Sequence, residues 1–162
     1  MQKKNILFFR YTYFDNKHYT YSDTYNTPMM KATKMKFVRE YPINASAKLL
    51  YPYLSTASGL AQWFCDKASM DENKIFNFVW DGRNHYAEMT GHRTNNSVRF
   101  LYLNEDKKHM PDAPYVDFSI EASELTQEQF LKVVDYSDED DEEELEELWD
   151  NLLQKLREIV GG

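Results

Sequence analysis

Leu145, Leu148, Trp149, Leu152, Leu153, Leu156, Ile159 and Val160 recur at spacings of three and four along the last quarter of the chain. That period belongs to one apolar face of a helix. The face has to be buried, because leaving a large apolar side chain in water forfeits about 1.5–3 kcal/mol. Directly before the stripe, ten of the thirteen residues from Asp135 to Glu147 are acidic. The pattern predicts a closing helix that opens at Ser137 or Asp138. Its acids stand at the N-terminal end and Lys155 and Arg157 near the other, the polarity that the helix dipole favours. Gly161-Gly162 then supplies a stop.

The partner for this helix is the strand-rich middle of the chain. Lys36 to Ile43 alternates as a strand, with Phe37, Arg39, Tyr41 and Ile43 on one face. Ser46 is an N-cap candidate for a helix over Ala47 to Leu54, which Pro52 should end or kink. Gly59 to Phe64 reads as a second short helix. The period then changes to two. Phe76, Phe78 and Trp80 share one face of a strand over Lys74 to Trp80, and Asp81-Gly82 is a hairpin turn. Arg83 to Gly91 sets Tyr86, Glu88 and Thr90 against His85, Ala87 and Met89. Val98, Phe100 and Tyr102 alternate next, then Val116, Phe118 and Ile120, then a last strand over Phe130 to Tyr136. No crossover helix separates these strands, so they read as an antiparallel meander and the chain as α+β.

A length of 162 residues suits one domain. The net charge of −8 argues against nonspecific binding to nucleic acid and against stable membrane association, since both need a positive field. No apolar run reaches the roughly 18 residues of a membrane span. A single cysteine, Cys65, fits a reducing compartment and hence a cytoplasmic location. The first 34 residues carry six Lys or Arg and two Asp, +4, whereas residues 35–162 carry thirteen basic and twenty-five acidic residues, −12. They also lack an apolar payload. They read as a poorly structured extension, or as residues upstream of a true start at Met29, Met30 or Met35, with one domain over 35–162.

The order strand, two short helices, meander, long helix is that of the helix grip. The run Ser46-Ala47-Lys48-Leu49-Leu50-Tyr51-Pro52-Tyr53-Leu54-Ser55-Thr56-Ala57-Ser58-Gly59-Leu60-Ala61-Gln62-Trp63-Phe64 resembles the early helical signature of START-like (SRPBCC) proteins of the AHSA1-type, Hsp90-activator branch. Phe78-Val79-Trp80-Asp81-Gly82 is similar to the hairpin that follows it. The resemblance covers about Met35 to Val160. It implies a curved antiparallel sheet wrapped around the closing helix, with a cavity between them that in various members accepts lipids, steroids, polyketides or plant hormones. Other members act through protein contacts, as Hsp90 co-chaperones do. The sequence departs from that branch in its acidic link and in lacking a glycine-tryptophan start to the last helix.

Three functional readings follow. The first is noncatalytic binding of a hydrophobic small molecule or lipid, with Trp63, Phe76, Phe78, Trp80, Tyr86, Phe100, Tyr102, Phe118, Trp149 and Leu153 lining an apolar pocket. The same residues equally suit a filled core. The second is a protein-interaction module resembling an Hsp90-activator domain, in which Asp138, Asp140, Asp141, Glu143 and Glu144 face a basic protein partner. The third is a cyclase/aromatase-like enzyme, for which Glu88, sharing a strand face with Tyr86, is a weak acid–base candidate. Cys65 has no activating motif around it and reads as a packed thiol. The four histidines are scattered and no His/Cys cluster has zinc spacing, so neither a metal nor a cofactor is expected. Asp138, Asp140 and Glu142 alternate like calcium ligands, but Glu143 stands where the loop needs glycine.

Overall fold

The computed structural model describes residues 34–138 and 141–161. The expectation for the N-terminal extension therefore falls outside the described residues except at Lys34, and Asp140 lies outside them too.

Among the described residues seven strands form one sheet: β1 (Met35–Pro42), β2 (Lys67–Met70), β3 (Ile75–Trp80), β4 (Arg83–Arg93), β5 (Ser97–Tyr102), β6 (Tyr115–Ala122) and β7 (Gln129–Ser137). The order is β1-β7-β6-β5-β4-β3-β2 and every pairing is antiparallel, as the meander requires. Two short helices, α1 (Ala47–Ser55) and α2 (Ala57–Leu60), follow β1, and the long α3 (Glu142–Val160) closes the chain. This is the expected α+β helix-grip architecture, a curved open sheet around a C-terminal helix.

Each strand except the edge strand β2 hides one face. Phe37 and Tyr41, Phe76, Phe78 and Trp80, Val98, Phe100 and Tyr102, Val116, Phe118 and Ile120, and Leu131 and Val133 are all buried. They meet Leu145, Trp149, Leu152, Leu153, Leu156 and Val160 of α3, so the helix stripe and the strand alternation bury each other. Asp81 and Gly82 both take positive φ, 49° and 74°, the conformation of a tight hairpin turn between β3 and β4.

Four local features refine or correct the expectations. First, α1 spans Ala47–Ser55, one residue longer than expected, and it ends three residues past Pro52, the nearby stop that the proline predicts. Proline there costs one backbone bond inside the helix. The carbonyl of Pro52 nonetheless accepts from both the amide and the hydroxyl of Thr56, which ties off the end. Second, α2 begins at Ala57 and ends at Leu60, ahead of Phe64. It packs so closely that a Cβ on Gly59 would sit 2.2 Å from the Pro52 carbonyl oxygen. Third, β2 has no counterpart in the sequence reading, because Lys-Ala-Ser-Met shows no alternation and pairs only at the sheet edge. Fourth, α3 opens at Asp141, not at Ser137 or Asp138. The pairing of β7 with β1 continues to Met35 opposite Ser137, and that ladder holds the chain extended. The Asp141 carboxylate then caps the helix, accepting from the amides of Glu143 and Glu144 at 3.0 and 3.1 Å. At the other end Gly161, with φ 84°, returns its amide to the Arg157 carbonyl.

Candidate functional site

The expected site is the space between α3 and the sheet, and it is filled by aromatic rings. The turn after α2 drives Phe64 into it. Phe64 lies edge-on to Phe78, Trp80 and Phe118, at 5.4, 5.2 and 5.7 Å between ring centroids. It stacks on Trp149 of α3 at 6.1 Å and 22°. Phe118 and Trp149 meet at 5.9 Å, and Phe76 and Phe78 both pack on Phe100. These separations are those of rings in direct contact. Trp149, Phe64, Phe78, Phe118, Phe100, Tyr102 and Leu153 are wholly withdrawn from solvent. A cleft of about 340 Å³ opens elsewhere, between the Ile43–Ser46 turn and the Thr126–Gln129 turn, and none of the expected pocket residues lines it.

The structure thus gathers Trp63, Phe76, Phe78, Trp80, Phe100, Tyr102, Phe118, Trp149 and Leu153 into one core. Tyr86 is the exception. It pairs with Asn77, on the face opposite Phe76 and Phe78, and the Lys107 ammonium lies 5.0 Å from its ring centroid. Glu88 shares that outer face, where its carboxylate meets the His109 imidazole at 3.0 Å. The β5–β6 loop that carries Lys107 and His109 is further held by the 2.7 Å Lys107–Asp71 ion pair.

Among the described residues three polar or charged residues are buried: His85, Asp135 and Ser137. None of the three is expected in this role from the sequence. Asp135 is counted there with the acidic block, yet on β7 it follows Leu131 and Val133 onto the inner face. Its Oδ2 accepts the Trp149 indole N–H at 2.9 Å, binding the middle of α3 to the sheet. The signal was present in the period-two spacing of 131, 133 and 135. His85 pairs with Phe78 and stands edge-on to Trp80 at 5.0 Å. Burial, and secondarily the Arg83 charge, push its pKa down to about 4. The other two tryptophans also place their indole N–H groups: Trp63 on the Tyr53 carbonyl and Trp80 on the Phe64 carbonyl, both at 2.9 Å.

Burial, then Asp66, push the Cys65 thiol up to about 12, so the thiolate that would act as a nucleophile is suppressed at neutral pH. The Tyr41 phenol is held above its ordinary range by burial first and by Asp150 second. Among the described residues no group of three or more His, Cys, Asp or Glu converges to hold a metal ion.

The acidic block is not one surface. Asp135 is in the core, and Asp138 is half-buried, its pKa raised by burial and by Asp112 and lowered by Lys34. Asp141 caps α3, and Glu146 pairs with Arg39 of β1 at 2.7 Å. Glu142, Glu143, Glu144 and Glu147 remain exposed on the first turns of the helix.

A model of the START-like superfamily domain matches residues 30–162, and the chain belongs to that superfamily. The solution structure of BfR322 from Bacteroides fragilis is 33% identical over 78% of this chain and 90% of that one, with a TM-score of 0.52. The Aha1 dimer from Colwellia psychrerythraea is 19% identical over 78% of this chain and 96% of that one, with a TM-score of 0.61, a likeness of fold. No curated protein matches the chain. Among the described residues, no helix is long and apolar enough to cross a membrane.

Proposed function

We propose that this START-like domain, spanning residues 35–162, is a noncatalytic binding module that works through its surface, docking a basic protein segment on the acidic start of α3. The observation that carries the reading is the filled interior. A guest between α3 and the sheet would have to displace Phe64 or Trp149, each already packed on two or more rings. The exposed carboxylates of Glu142, Glu143, Glu144 and Glu147 make no ion pair with the described residues and project where the dipole already favours negative charge, so their field is free to act outward. The likeness of fold to an Aha1 protein is consistent with a role in protein contacts.

The test is calorimetric titration with a synthetic peptide of several lysines and arginines. The double variant Glu143→Gln/Glu144→Gln keeps the Asp141 cap, because the cap uses only the backbone of those residues. Binding should weaken with rising salt and in that variant. Equal affinity of variant and parent would overturn the proposal.

A second reading, uptake of a hydrophobic small molecule or lipid between α3 and the sheet, draws on one observation. Tyr41, His85, Tyr102, Asp135 and Ser137 place polar atoms on a largely apolar inner face. Ligand sites combine apolar walls with a few such groups. Fluorescence of an added fatty-acid probe would report it, with a saturable signal in its favour and none against it.

A further inference from the structure

We draw no further inference here: the strongest candidate, the stripe of Tyr86, Tyr115 and Tyr136 across the outer face of the sheet beside the β5–β6 loop, carries nothing because nothing in the structure shows what covers it.

Discussion

Replacing Trp149 by phenylalanine isolates the contact that fastens α3 to the sheet. The variant keeps a ring against Phe64 and Phe118 but removes the N–H that donates to Asp135 at 2.9 Å. Both residues are fully buried, so water does not replace the lost donor. A hydrogen bond to a buried carboxylate is worth about 1.5–3 kcal/mol. The smaller ring adds roughly 1 kcal/mol at about 24 cal/mol per Å³ of cavity. Trp149→Phe should therefore lose roughly 2.5–4 kcal/mol, or roughly 5–15 °C in Tm for a chain of this size. Urea unfolding followed by far-UV circular dichroism measures it without relying on the altered fluorophore. Asp135→Ala and the double variant complete a cycle that removes the packing term. Their coupling should be about 1.5–3 kcal/mol, within the range for residues in contact. Asp135→Asn should fall well short of Asp135→Ala, because the amide oxygen still accepts. A coupling below about 0.5 kcal/mol would refute the reasoning.

Asp141→Ala should cost about 1 kcal/mol by removing the cap on Glu143 and Glu144, with Asp141→Asn close to wild type in the same urea assay. Gly59→Ala should cost about 1–3 kcal/mol or more, because the methyl group meets the Pro52 carbonyl and backbone must move; a neutral substitution would show that α2 is free to shift. Stability should fall as pH drops from about 6.5 to about 4, because unfolded His85 takes up a proton that the buried imidazole refuses. The full effect is on the order of 3 kcal/mol. His85→Gln should flatten the slope in that window, and an NMR titration placing the His85 pKa above 6 would contradict it.

Periodicity made most of this fold legible. The α3 stripe, apart from the exposed Ile159 and the half-buried Leu148, and the alternation of Phe76, Phe78 and Trp80, or of Val116, Phe118 and Ile120, name their buried faces directly. Composition misled where two constraints overlapped. Asp135 looks like one more acid in a run, but register with β1 decides its side, and register depends on residues a hundred positions away. Tyr86 shows the same limit: an aromatic on a strand is read inward until pairing with Asn77 turns it outward. Trp63 is expected in the pocket and Phe64 is not, yet Phe64 is the ring that stacks on Trp149. Which ring of two neighbours plugs a space depends on the turn after α2, and no periodicity describes a turn. The edge strand β2 was invisible because four residues without alternation carry no pattern.

Native mass spectrometry of the wild-type chain, purified gently from cells that express it, tests most directly whether the helix–sheet interior is closed. The bare mass of the chain is expected, because Phe64, Phe118 and Trp149 occupy the space a guest would need. A stoichiometric adduct of a few hundred daltons, retained by the wild type and lost from Trp149→Ala, would contradict a filled interior and favour small-molecule binding instead.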